Sequence, residues 1–169
     1  MAPLSPAEVE RLRENSHIKL DADGRFWHEG GLVEHAGVAR AFHRGLGRAP
    51  DGRPTLTIGR TWCYLTADDT LYLVRAALCE PAGERLSSCL LRLDDETEEQ
   101  LELVPAQVAL GETGVLYARV KNGREWARLL PEAHRTLGTY VTAADADPNL
   151  LALKTTAGSF PLVALKPPR

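Results

Sequence analysis

The sequence predicts an α+β fold of two similar halves, each a mainly antiparallel sheet packed on one helix. Two observations carry that expectation. Short alternating apolar runs are separated by Gly, Pro, Asp and Asn turns, which is the spacing of hairpins and meanders. Two stretches, about 34–46 and 131–144, instead repeat apolar residues at helical intervals. The expected division is an N-terminal helical appendage over 1–15, a half over 16–80 and a half over 81–169, with Pro81-Ala82-Gly83 as the internal boundary.

Ser5-Pro6-Ala7-Glu8 is a capping box with Pro at the first helical position, so a helix opens there. Val9 and Leu12 give it only a thin apolar stripe, which makes it short and peripheral. Ile18 and Leu20, the turn Asp21-Ala22-Asp23-Gly24 and the alternation from Arg25 to Glu29 make a hairpin. Gly30-Gly31 ends it. The helix that follows places Val38, Phe42 and Leu46 on one side. Strands are expected at 55–60, 61–66 and 70–78, then at 86–93 and 101–104, with an acidic turn over 94–100. Asn122-Gly123, between 115–121 and 125–129, is the strongest hairpin signal in the chain. Pro131 starts the second helix, whose apolar face is Ala133, Leu137, Tyr140, Val141 and Ala144. Strands at 150–155 and 160–165 close the chain around Ala157-Gly158.

Composition bounds the function. The chain has 169 residues, is 44% hydrophobic and 25% charged, and therefore reads as globular rather than disordered. A net charge of -3 predicts no general attraction to nucleic acid or anionic membrane. No apolar run approaches the roughly 18 residues that a spanning helix needs. The opening MAPLSPAEVERLREN turns charged before a signal peptide could form, so the cytoplasm is the expected location. Cys63, Cys79 and Cys89 are widely spaced among apolar residues, with no zinc spacing, and read as reduced small hydrophobes. No cofactor or metal is expected.

Several segments resemble a bacterial family of unknown function, number 1285 in the domain-of-unknown-function series. The residues that carry the likeness are Ile18 to Gly31, where a strand, a D-G turn and an aromatic pair lead through glycine into a helix. Asp51-Gly52, the run Tyr117 to Gly123 and the closing hairpin Lys154 to Leu162 add to it. The resemblance covers roughly 17–165. It implies two similar α+β halves, the second like a pleckstrin-homology barrel. It also implies a small, nucleotide-like ligand between the halves and a role in signalling, with no catalytic residues to transfer.

Asp21-x-Asp23-Gly24 has the wrong spacing for a calcium loop and reads as a turn. Trp27-His28 beside Gly30-Gly31 is either a ligand approach or a plain turn into the helix. Arg40, Arg44 and Arg48, and likewise Lys121, Arg124 and Arg128, are either anion sites or solvated faces. No nucleophile–base pair, phosphate loop or dinucleotide fingerprint is present. The leading expectation is therefore a regulatory small-molecule binding module rather than an enzyme. A protein–protein adaptor, or an enzyme whose site is assembled from distant segments, is the alternative. The expected ligand site comprises Trp27, His28, Gly30, Arg60, Trp62, Arg124 and Arg128. Trp27 and Trp62 would stack on a ring, and Arg60, Arg124 or Arg128 would pair with an anionic group. The alternative for the two tryptophans is that they simply fill core.

Overall fold

The computed structural model describes residues 3–166. The chain divides into two compact units, Met1–Leu71 and Tyr72–Arg169. Pro81-Ala82-Gly83, expected as the boundary, instead lies at the tip of a long hairpin inside the second unit.

In the first unit, α1 (Pro6–Glu14) is opened by the complete capping box: Ser5 accepts from the Glu8 backbone and Glu8 reaches back to Ser5. None of its residues is buried. β1 (Ile18–Leu20) and β2 (Phe26–His28) form the predicted hairpin, and β3 (Gly31–Leu32) extends it. α2 (Ala36–Gly45) starts later than periodicity suggests, because the His35 ring caps it by accepting from the backbone N–H groups of Gly37 and Val38. Its inner face is not the Val38–Phe42–Leu46 row. Val38 is exposed, while Phe42 and buried His43 pack edge-on against Phe26 at 5.1 and 4.8 Å.

β4 (Leu46–Arg48), β5 (Pro54–Ile58) and β6 (Thr61–Tyr64) make a second, three-stranded sheet, while β7 (Thr66–Ala67) pairs in parallel with β1. Because α2 stops at Gly45, Arg48 is on a strand and the Arg40–Arg44–Arg48 helical row does not form. Gly45 is needed where the helix end meets β5: a Cβ there would lie 2.1 Å from the Thr57 carbonyl oxygen.

The second unit is one curled sheet of ten strands. β8 (Tyr72–Ala82) and β9 (Arg85–Leu93) are its long central hairpin. β10 (Glu98–Gln100) pairs with β9 where the acidic turn was expected to continue. β11 (Val108–Gly111) is a strand the sequence analysis did not identify. β12 (Leu116–Val120) and β13 (Glu125–Leu129) flank Asn122-Gly123 as expected.

α3 (Pro131–Gly138) is shorter than the predicted 131–144, because after Gly138 the chain turns into β14 (Val141–Ala143). β-Branched Val141 and Thr142 suit that strand. β15 (Leu151–Thr155), β16 (Gly158–Pro161) and β17 (Val163–Leu165) complete the order β14-β15-β9-β8-β13-β12-β11-β17, with β16 on β15. The path ends at β14 and β17, so the sheet is an open half-barrel. Most pairings are antiparallel, but β8 with β13, β11 with β17 and β9 with β15 are parallel.

The core of this unit joins Val74, Leu86, Leu91, Leu93 and Leu129 on the strands to Ala133 and Leu137 on α3. Fully burying each such leucine contributes roughly 1.5–3 kcal/mol. The two units differ in strand number, sheet order and helix count. The α+β class holds, and the pairing does not present two copies of one arrangement.

Replacing Gly45 by Ala should lower stability by roughly 1–3 kcal/mol, because the methyl group meets backbone rather than a side chain that can swing away. Chemical denaturation of the variant checks this. An unchanged midpoint would contradict the close approach of α2 to β5.

Candidate functional site

Trp27, His28 and Gly30 lie on the β1–β2–β3 hairpins of the first unit. The Trp27 indole N–H donates to Asp21 Oδ2 at 2.9 Å, and the same carboxylate accepts from Arg25 Nε and from the backbone N–H groups of Asp23 and Arg25. Asp21 therefore ties its own turn to the opposite strand. Burial, the largest influence on this carboxyl, raises its pKa. The bonds from Trp27 and Arg25, with that from Asp23, outweigh it and hold the value below the ordinary range. His28 and Gly30 are exposed.

Arg60 and Trp62 belong to the other sheet. Arg60 is exposed in the β5–β6 turn. Trp62 packs edge-on against Tyr64 at 5.1 Å, and the Arg13 guanidinium lies 4.0 Å over the indole ring. Tyr64 donates its hydroxyl to Glu10 at 3.0 Å and carries Arg53 over its own ring at 3.7 Å. Arg53 in turn bonds Asp51 and Glu14. This cation–aromatic cluster, not a buried apolar stripe, fastens α1 to β6. Both tryptophans thus have intramolecular partners, one polar and one cationic.

In the second unit the side chains converge on the turn between β12 and β13. Lys121, Asn122 and Gly123 all have left-handed φ values, of 53°, 56° and 73°. Asn and Gly adopt such backbone readily and Lys does not. Lys121 is held there on every side. Its backbone N–H donates to Glu99 Oε2 at 2.6 Å, and its ammonium lies 2.5 Å from Asp95 Oδ2, 2.9 Å from Thr97 Oγ1 and 3.6 Å from Glu99 Oε1. The Tyr72 ring is 4.9 Å away on another side. Asp95 and Glu99 come from the β9–β10 segment, so this lysine ties β10 to the far end of β12.

Beside this clamp is a groove of about 290 Å³ lined by Glu99, Gln100, Glu102, Gln107, Arg119, Asn122 and Gly123. Arg119 is pre-oriented, its guanidinium lying 4.1 Å over the Trp126 ring. The backbone of Gln107 is fixed by its main-chain carbonyl, which accepts from the Arg119 backbone N–H. The residues that line it carry three side-chain amides, one guanidinium and two carboxylates. Of the expected site residues in this unit, Arg124 is exposed and donates from Nε to the Lys121 carbonyl, and Arg128 sits half-buried on β13. Neither lines the groove. The Asn122-Gly123 turn is legible in the sequence and Arg119 falls in the run Tyr117 to Gly123, but Gln100 and Gln107 belong to no motif. Among the described residues, no group of three or more His, Cys, Asp or Glu side chains is placed to hold a metal ion. No helix in them is long and apolar enough to cross a membrane.

No family model matches the sequence, and no curated protein does. Solved structures do match. One is a DUF1285 family protein from Silicibacter pomeroyi DSS-3, at 16% identity and a TM-score of 0.67, covering 96% of this chain and 90% of that one. Another is a DUF1285 family protein from Shewanella baltica OS155, at 18% identity and a TM-score of 0.51, covering 72% of this chain and 90% of that one. The expected resemblance therefore holds at the level of the fold.

The clamp has a pH signature. Burial, the largest influence on Asp95, raises its pKa, but the bonds from Lys121, from the Thr97 hydroxyl and from the Thr97 backbone hold it below the ordinary value. A depressed carboxylate stabilises the fold above its unfolded value of about 3.9, and that contribution fades as pH falls through the folded value. Lys121→Met should cost roughly 1.5–3 kcal/mol near neutral pH. The cost should shrink below about pH 4, as urea denaturation at several pH values would reveal.

Trp27→Phe keeps the ring and removes the bond to Asp21, so it should cost about 1 kcal/mol at neutral pH. Thermal or urea melting measures it, and no change would mean that the indole–carboxylate bond is idle.

Proposed function

We propose that this chain, which has the DUF1285 fold, is a small-molecule binding module with a regulatory role, and that the groove beside Lys121 takes a nucleoside-like ligand. The observation that carries the reading is the set of amides in that groove. Gln100, Gln107 and Asn122 each offer a donor and an acceptor, the pairing that the edge of a heterocyclic base requires. The volume is at the lower end of ligand sites, suited to a base and sugar rather than a dinucleotide.

Charge decides between nucleoside and nucleotide. Glu99 and Glu102 line the groove with Arg119, and Lys121, which faces Glu99, is also bound to Asp95, so a phosphate would meet more negative charge than positive. An uncharged base and sugar meets no such penalty. Glu99 is already committed to Lys121, and the lining carries no hydroxyl, thiol or imidazole, which favours binding over group transfer. The arginine and tryptophan residues first considered remain part of the proposal only where they support the site: Arg124, through the Lys121 carbonyl, braces the turn that forms one wall. Trp27, His28, Gly30, Arg60 and Trp62 belong to the other unit and are not needed for this groove.

Calorimetric titration with the four common nucleosides and their 5′-monophosphates tests the reading. At least one nucleoside should bind, its monophosphate should bind no more tightly, and Gln107→Leu should weaken it by about tenfold, the equivalent of 1.4 kcal/mol. A panel in which no nucleoside binds, or in which Gln107→Leu leaves affinity unchanged, would overturn it.

A further inference from the structure

Cys79 on β8 and Cys89 on β9 stand directly opposite each other in the antiparallel hairpin. Their sulfurs are 2.9 Å apart, within a thiol–thiol hydrogen bond. Residues opposed in this way have Cα atoms about 4.5–5.5 Å apart, inside the range of roughly 4.4–6.8 Å that a disulfide spans. Closing the pair therefore requires the sulfurs to approach by less than 1 Å and leaves the strands in register. We propose that Cys79 and Cys89 are a dithiol modification site that closes reversibly to a cross-strand disulfide on reaction with a small-molecule disulfide.

The two cysteines are placed for different parts in that exchange. Cys89 is fully buried in the core, against the β10 side where its carbonyl accepts from the Leu101 N–H. Cys79 is half-buried at the margin of the same core, with Tyr140 and Val141 also packed on that margin. Only Cys79 is within reach of a reagent from solvent. The hydrogen bond between them also separates their acidities. The contact between the two sulfurs lowers the Cys79 pKa against the opposing effect of burial, while the same contact and burial raise that of Cys89. Cys79 is thus the attacking thiolate and Cys89 the resolving thiol.

The chemistry balances as two exchanges. The Cys79 thiolate attacks one sulfur of the disulfide RSSR, forms a Cys79–S–S–R bond and releases RS⁻. Cys89 then gives its proton to solvent and attacks the Cys79 sulfur, forming the Cys79–Cys89 bond and releasing a second RS⁻. Two electrons pass from the cysteines to RSSR, and the two thiolates take up the two protons lost by the protein. The register shift at Glu80/Pro81, one residue beyond the pair, marks where the hairpin departs from regular pairing, and the exposed tip from Pro81 to Arg85 follows it. Cys63 lies in the first unit, outside this pair, and serves as an internal control.

The test incubates reduced protein with equal concentrations of reduced and oxidised glutathione, quenches it with acid, and counts thiols after denaturation. The sequence holds three cysteines. The count should fall from three to one, a non-reducing peptide map should join Cys79 to Cys89, and dithiothreitol should restore all three. Cys89→Ala should stop at the first exchange and accumulate glutathione on Cys79. Three thiols remaining in the wild type, or a disulfide that involves Cys63, would overturn the proposal. Because the wild-type count and map need no variant, a Cys89→Ala protein that fails to fold does not protect the proposal from that result.

Discussion

A single lysine in left-handed backbone is the constraint that ties β10 to the β12–β13 turn of the second unit. At Lys121 the turn needs a conformation that costs a non-glycine residue roughly 1–2 kcal/mol. Its backbone N–H and its ammonium are therefore used together, the first on Glu99 and the second on Asp95 and Thr97. The two carboxylates, Asp95 and Glu99, are at least half-buried, where charge-assisted bonds are stronger than on an open surface. The result is that β10, which pairs only with β9, is tied to the end of β12 by side chains rather than by a strand ladder. That tie joins β10, which brings Glu99 and Gln100 to the groove, to the turn that brings Asn122 and Gly123.

The two units are held by different means. The second has a continuous aliphatic core from β8 and β9 through β13 to α3, and its stability follows from burial. The first has a smaller apolar centre around Leu20, Phe26 and Leu56, with polar locks doing much of the positioning. Asp21 gathers two backbone N–H groups, Arg25 and Trp27. α1, without a buried residue, is attached through Arg13, Trp62, Tyr64, Glu10 and Arg53. Such contacts include bonds between ionised groups, so they respond to pH and salt in ways that a leucine core does not.

The α+β class, the capping box of α1, the first hairpin and the Asn122-Gly123 turn were legible because each is set by local chemistry. Other features were not, for identifiable reasons. Apolar periodicity placed the start of α2 too early because a histidine ring, outside the usual capping residues, closes its first turn. It carried α3 too far because Tyr140, Val141 and Ala144 fit a helical row as well as they fit the strand and turn they occupy. Asp21 and Trp27 were each noticed, but nothing in a sequence says that an indole six residues away satisfies a turn carboxylate. The groove was invisible for a similar reason. Its amides come from Gln100, Gln107 and Asn122 on separate segments, and isolated glutamines carry no signature until a curled sheet brings them together.

The role proposed for the Lys121 clamp is to shape a groove for a nucleoside-like molecule. It is tested by titrating isotopically labelled protein with each of the four common nucleosides in turn, following backbone amide chemical shifts. Shifts should appear at Gln100, Gln107, Arg119 and Gly123, and should be lost in Lys121→Met while the core amides of β8 and β13 keep their positions. Shifts centred instead on Trp27 and Trp62, or an unchanged groove response in Lys121→Met, would contradict it.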